Sequence, residues 1–279
     1  MISELKKDKF YKCKYLLSDQ GLLEARAVIE GVNPGRVFVD DMDTPASGLV
    51  WLGNNDGFIF IGNEKNERFN KDLNHFIDTI IMPEATEVEL KWFEGIGEHR
   101  KWDATIKEVF KKRKLGSWNQ RVYTLHKDDY SYNDEFSITQ GYKLMKVCKD
   151  IFENKGNSIK NIAFLRSKIL ESWSSSETFF HNGMGYCMIY KNEIVSLCFS
   201  GFVAGNVHAV TIETIEEHRG KKLAQNIAKA FVNDCLDNNK IPYWDCMESN
   251  KSSIAVAENI GFRNIFNYIG YEFSFNNKL

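Results

Sequence analysis

Residues 211–224 read T-I-E-T-I-E-E-H-R-G-K-K-L-A, and the stretch changes character in its middle. Its first residues continue a β-branched run, while those that follow place Leu223, Ile227, Ala230 and Phe231 on one face of a helix. A helix start carries partial positive charge, yet Arg219, Lys221 and Lys222 crowd around this one. Each uncompensated cation there costs roughly 0.3–1 kcal/mol in a partly exposed setting. A strand that enters a helix through a turn leaves several backbone N–H groups pointing the same way, and Gly220 lets that backbone approach a ligand without a Cβ in between. The combination predicts an anion site, best matched by a pyrophosphate whose oxygens pair with the flanking cations. Glu216 and Glu217 offer a plainer reading, in which they neutralise the cations on a solvated helix start.

Working outward, 183–190, 193–202 and 206–214 are rich in β-branched and aromatic residues between short polar turns, and read as a strand meander. Upstream, Ile162, Leu165, Ile169 and Trp173 recur at helical spacing, and serines 174–176 are expected to stop that helix. Downstream, the helix from about Lys221 to Asp237 leads to a buried strand at 241–247, a short helix ended by Gly261 and an aromatic strand from Arg263 to Phe275. The first half repeats the order. Strands are expected at 35–41, 47–53, 57–63, 86–93 and 120–126, with helices at 71–82 and 99–113. Its counterpart of the basic turn, Asn63-Glu64-Lys65-Asn66-Glu67-Arg68, has no glycine, so no anion cradle is expected there.

A chain of 279 residues suits two domains or one large α/β unit. The polar segment KDDYSYND at 127–134 is the best boundary, giving domains 1–130 and 131–279. With a formal net charge of -2 and a pI near 6.3, nothing draws the chain generally to nucleic acid or an anionic membrane, so any anion site is local. The six cysteines are scattered without a C-x-x-C pair, which favours buried free thiols over a metal site or disulfide framework. MISELKKDKF lacks an apolar signal core and no run of ~18 apolar residues occurs, so the expected location is the cytoplasm. GxxxxGK[ST] is absent, and Gly95-Ile96-Gly97 is followed by Arg100 where a dinucleotide fingerprint needs its third glycine.

Three segments, 212–224, I-P-Y-W-D-C at 241–246 and a serine-to-G-F motif read from Ser249 or Ser253 toward Gly261-Phe262, resemble the GCN5-related N-acetyltransferases. Together with D-D-M-D-x-P at 40–45 and the following S-G-L-V-W-L, they are most similar to the subgroup that includes the zwittermicin A resistance protein. The resemblance implies an α/β (α+β) fold of two halves, each a mixed, mostly antiparallel sheet flanked by helices, with a degenerate first half and a second half that binds acetyl-CoA. Its pyrophosphate turn, Q/R-x-x-G-x-G/A, falls on Glu217, Gly220 and Lys222, where only the glycine matches. Lys222 then either crowds the cradle or reaches a phosphate itself. The implied cofactor contacts are Ile212, Thr214, Arg219, Gly220, Lys221, Lys222, Leu223, Ala224, Asn250 and Ser253.

The implied chemistry is attack of a primary amine on a thioester, without a metal. It needs oxyanion donors, assigned by resemblance to the backbone from Ile212 to Thr214, and a base for the ammonium proton. Glu213 and His208 lie on that strand, on opposite faces by the period-two rule, so one of them faces the cleft. The family's usual tyrosine position is Ala257, which leaves Tyr243, Ser249 or Ser253 as substitute acids. Glu177 is a candidate partner for the ammonium of a small-molecule acceptor. The expectation is therefore an N-acetyltransferase for a small amine, suited to resistance or detoxification. A silent CoA-binding module and a protein N-acetyltransferase are the rivals.

Overall fold

Ser47–Leu52 is buried along its whole length, and Phe58–Gly62 nearly so, because strands covered on both faces have no polar side to show. The computed structural model describes residues 1–54, 57–130, 138–156 and 158–275. These fall into two compact units, the first holding residues up to Gln120 together with those from Asn267 onward, the second Arg121–Phe266. The division differs from the expected 1–130 and 131–279, and residues 131–134 of the expected linker lie outside the described residues. The changeover falls within strands, where no shift in composition marks it.

In the first unit the chain runs β1 (Ser3–Leu5), a 3-10 segment (Lys7–Leu16), α1 (Leu23–Ile29), β2 (Gly35–Val39), β3 (Ser47–Leu52), β4 (Phe58–Gly62), α2 (Glu67–Phe76), α3 (Met82–Glu87), β5 (Trp92–Gly97) and α4 (Trp102–Val109), before β6 (Gly116–Thr124) leads out of it. Strands β1 to β4 pair antiparallel in sequence. β4 and β5 are parallel through Phe58↔Gly95 to Phe60↔Gly97. The last strand, β12 (Arg263–Ser274), returns to pair antiparallel with β5 from Gly270↔Ile96 to Ser274↔Trp92.

A strand had been expected at 86–93, but helix extends through a π turn at Ile77–Ile81 into α3, and β5 starts only at Trp92. The alternation T-E-V-E-L-K misleads because Val88 is 48 % exposed and faces no core, while Pro83 in the first turn of α3 favours helix there. Aromatic rings fill this unit's core: Phe93 stacks on Phe58 at 4.6 Å and on Phe273 at 4.8 Å. Phe93→Ala is expected to cost about 3–5 kcal/mol of stability, measured by denaturant unfolding.

The turn after β4 caps itself. Asn66 accepts from the Phe69 amide at 3.2 Å and Asn63 Oδ1 from the Lys65 amide at 3.0 Å. Asp40, the first residue of D-D-M-D-x-P, accepts from the Asn66 side chain and from the amides of Ala46 and Ser47. Side chains thus occupy N–H groups that a ligand would otherwise meet.

The second unit holds β7 (Tyr142–Lys146), α5 (Lys149–Glu153), α6 (Ile162–Ser172), α7 (Ser176–Asn182), β8 (Gly185–Tyr190), β9 (Glu193–Ala204), β10 (Val207–Thr214), α8 (Leu223–Asp237), β11 (Ile241–Met247) and α9 (Lys251–Ile260). β7 to β10 pair antiparallel in sequence, β10 and β11 are parallel, and β6 follows β11 in the order. Serines 174–176 end α6 as expected, and Ser175 also starts α7 through a capping box with Thr178. Gly261 closes α9 at a φ of +108°. The face of α8 carrying Leu223, Ile227, Phe231 and Cys235 packs into one cluster with Trp244, Ile254 and Phe262. All six cysteines are free, and burial pushes the Cys13, Cys187 and Cys235 thiols up to about 12. Among the described residues no helix is long and apolar enough to cross a membrane, and no group of three or more His, Cys, Asp or Glu is placed to hold a metal.

Candidate active site

β10 and β11 are paired over three residues only, Val207↔Ile241 to Ala209↔Tyr243. Beyond that point β10 stays with β9, and the register there is irregular: β9 takes three steps from Val203 to Ser200 while β10 takes two from His208 to Val210. Past the end of the parallel pairing lies a cavity of about 550 Å³. Ile212, Glu213 and Thr214 of β10, the turn and first residues of α8, Trp244 of β11 and the start of α9 line it.

What the cavity meets at α8 is decided by the turn. The helices beginning at Glu67, Ser176 and Lys251 are capped by the side chains of Asn66, Ser175 and Asn250. Like α8, the helices α1, α3, α4, α5 and α6 have no side-chain cap, but of the uncapped described helices α8, the longest, is the one that opens on this cavity, and its first turn has no acidic residue. Leu223, Ala224 and Gln225 nevertheless line the cavity, so their first-turn amides are the groups a bound anion would satisfy. Gly220 takes a φ of +76°, and a Cβ built on it would have no atom within 4 Å. The glycine is therefore favoured by the backbone conformation and leaves clear space on its outer side.

Lys222, where the family pattern has Gly or Ala, is also left-handed, at a φ of +58°. A lysine there carries roughly 1–2 kcal/mol of backbone strain, the sort of cost that is held at functional sites. The flanking cations divide in role. Arg219 Nε donates to the Thr214 carbonyl at 3.1 Å and Lys221 Nζ to the Glu217 carbonyl at 2.6 Å, both fastening the turn. Arg219 and Lys222 line the cavity, whereas Lys221 is not among the lining residues.

Of the expected contacts, Ile212, Thr214, Arg219, Gly220, Lys222, Leu223, Ala224, Asn250 and Ser253 come together on this one cavity. Asn250 Oδ1 accepts from the Ser253 amide at 3.1 Å, and the Ser253 hydroxyl lies 2.9 Å from Trp244 Nε1. Ala257, fully buried, carries only a methyl group, so its position offers no proton. Tyr243 is 4 % exposed and, like Ser249, is not among the lining residues.

The two candidate bases separate. Glu213 lines the cavity, with Oε2 3.2 Å from Lys168 Nζ. Burial works against the Lys168 charge, but the carboxylates of Glu171 and Glu213 outweigh it and hold the ammonium above the ordinary lysine range. His208 is 1 % exposed, its Nδ1 is 2.9 Å from Ser200 Oγ, and it does not line the cavity. Burial, aided by Lys240, brings its pKa down to about 4. Between pH ~6.5 and 4 the unfolded chain therefore holds a proton on this histidine that the folded chain refuses, so stability falls as pH falls through that window. The loss expected at pH 4 is about 3 kcal/mol, and His208→Gln should flatten that part of the unfolding free energy measured against pH.

Glu177 is exposed in the first turn of α7 and lies outside the lining. Its own backbone N–H and the hydroxyls of Ser175 and Ser176 hold its carboxyl below the ordinary range. Five lining residues went unforeseen, Gln225, Trp244, Ser252, Val256 and His218, the last with Nδ1 2.7 Å from the Tyr142 hydroxyl and its ring edge-on to Tyr142 and Tyr190. Its neighbours in the quoted turn were visible in sequence, but its aromatic partners come from β7 and β8.

The structure thus brings together an uncapped helix start, a parting parallel pair and one carboxylate on a single cavity. The family model described as GNAT acetyltransferase matches residues 15–271, and the chain belongs to that family of acetyltransferases. It is 28 % identical over 272 residues to YdfB, an uncharacterized N-acetyltransferase of Bacillus subtilis strain 168, covering 97 % of this chain and 98 % of that one. Among solved structures it is similar to a GCN5-related N-acetyltransferase-like protein from Streptococcus suis 89/1591, with a TM-score of 0.66, 19 % identity and coverage of 95 % and 98 % of the two chains. A tandem GNAT protein from the clavulanic acid biosynthesis pathway superposes with a TM-score of 0.62 at 9 % identity, over 99 % of each chain. The fold is a tandem GNAT fold, two mixed, mostly antiparallel units in one chain.

Proposed function

We propose that the second unit binds acetyl-CoA and transfers its acetyl group to a primary amine of a small molecule. The observation that supports this most is the uncapped start of α8 on a 550 Å³ cavity, beside Gly220. GNAT acetyltransferases as a family use acetyl-CoA, and the residues fit its anionic end. The amides of Leu223, Ala224 and Gln225, with Arg219 and Lys222, would hold the pyrophosphate, while Asn250 and Ser253 would lie along the pantetheine arm. Acetyl-CoA supplies a thioester carbonyl and a thiolate leaving group that needs little protonation. Glu213 then has one task, to take the proton of an acceptor ammonium held within hydrogen-bond reach. The backbone of Ile212 to Thr214 would face the developing oxyanion. On this reading His208 holds the sheet together through Ser200 rather than moving protons.

The first unit is read as silent toward the cofactor, because Asn63 and Asn66 fill its own turn. Six free cysteines, five of them buried, favour a reducing compartment such as the cytoplasm. The likeness of 40–45 to the zwittermicin A resistance subgroup supports a detoxifying role, with an amine-bearing antibiotic as acceptor class. The buried Ala257 favours a second reading, a CoA-binding module without turnover. Calorimetric titration of the full chain with acetyl-CoA is expected to give one site per chain, followed by CoA release with members of an amine panel. Two sites would overturn the silence of the first unit, binding without release would favour the second reading, and no binding would sink both.

A further inference from the structure

We infer that Lys168 is an acetyl acceptor built into the chain, an inference that rests on Glu213 acting as the base. Helix α6 packs Leu165 and Ile169 into the interior, at 1 % and 0 % exposure, and leaves Lys168 partly open beside them. From there Nζ reaches 3.2 Å from Glu213 Oε2 and 3.2 Å from Glu171 Oε1. Lys168 is not itself among the residues that line the cavity, but Glu213, which does line it, holds this primary ammonium at hydrogen-bond distance. That is the arrangement any external acceptor must reach before Glu213 can take its proton. Glu171 supplies the second acid that keeps the ammonium in place, and the four-carbon stem lets Nζ advance once a proton has left.

The step balances without any reagent beyond water. Glu213 takes one proton from Nζ, and the freed lone pair forms the N–C bond at the thioester carbonyl. Glu213 passes that first proton to water and takes a second from Nζ as the tetrahedral adduct collapses; the C–S bond breaks, its electron pair leaves with the CoA sulfur, and the second proton goes from Glu213 to that thiolate. Acetylated Lys168 is neutral, so its ion pairs with Glu213 and Glu171 are lost together. An external amine competes with Lys168 for the same carboxylate, which makes the modification fastest when acceptor is absent.

Peptide mass mapping of the full chain tests this, both as purified and after incubation with acetyl-CoA without an amine. Acetylation at Lys168 is expected at least roughly tenfold faster than at the average lysine, and to drop by a similar factor in Glu213→Gln. Added amine should slow it. Lys168→Arg keeps the charge, should bind CoA by calorimetry with unchanged affinity, and should take no label at position 168. Calorimetric CoA binding by Glu213→Gln shows that this variant is folded. If Lys168 stays unmodified, or is modified equally fast in Glu213→Gln, while CoA binds and an external amine is turned over, the inference falls and the proposed function stands. If CoA does not bind at all, the proposed function falls first.

Discussion

Glu213→Gln is expected to lower kcat/KM for amine acetylation by roughly a hundredfold or more, the scale of a lost general base, while CoA affinity stays within about twofold. The split follows from position. Glu213 lines the cavity from β10, whereas the groups assigned to the pyrophosphate lie in the turn and the first residues of α8. Glutamine keeps the size and a hydrogen-bond acceptor but cannot hold the transferred proton. His208→Gln provides the contrast: it should reduce stability near neutral pH but leave kcat/KM close to wild type. Equal losses of turnover in the two variants would overturn the assignment of the base, and a large loss of CoA affinity in Glu213→Gln would show that Glu213 supports the cofactor instead.

Gly220→Ile is expected to weaken CoA binding by about a hundredfold. A side chain at a φ of +76° is strained whatever its size, by roughly 1–2 kcal/mol. No atom stands within 4 Å of a Cβ at this position, so alanine would meet only that strain. Isoleucine would in addition project over the amides of the turn, and two charge-assisted hydrogen bonds lost to a phosphate are worth about 3 kcal/mol together. Gly220→Ala is therefore expected to lie between wild type and Gly220→Ile by calorimetry. An isoleucine variant that binds CoA as wild type would place the pyrophosphate elsewhere.

The parts of this molecule legible in sequence are those where one face meets a core over a long run. The meander of β8, β9 and β10, the apolar stripe of α8 and the buried β11 all show the period their burial demands. The turn at Gly220 stood out in sequence for a different reason: a glycine and clustered cations at a helix start make an electrostatic misfit that a bound anion would resolve. Short elements were not. The 3-10 segment Lys7–Leu16 buries only Phe10, Cys13 and Leu16 among lysines, and α1 spans just seven residues. Helix α7 went unread, because its capping-box pair, Ser175 and Thr178, lies inside a run of serines expected only to stop α6. The choice between Glu213 and His208 was open in sequence because alternation says that two residues face opposite ways but not which side holds the cavity. Lys168 lies 45 residues before Glu213 and carried no local signal at all.

Strand β12 has a consequence for the order of events on the ribosome. The partner that covers β5 from Trp92 to Ile96 is Gly270–Ser274, translated long after the rest of the first unit. At about 5–20 residues per second, the nascent chain carries an open strand edge beside Phe93 for on the order of ten seconds before Phe273 arrives. Folding of the first unit is thus completed not when its own N-terminal stretch has been synthesised but only after the second unit's residues have followed it, and the intervening interval is when a chaperone would find it.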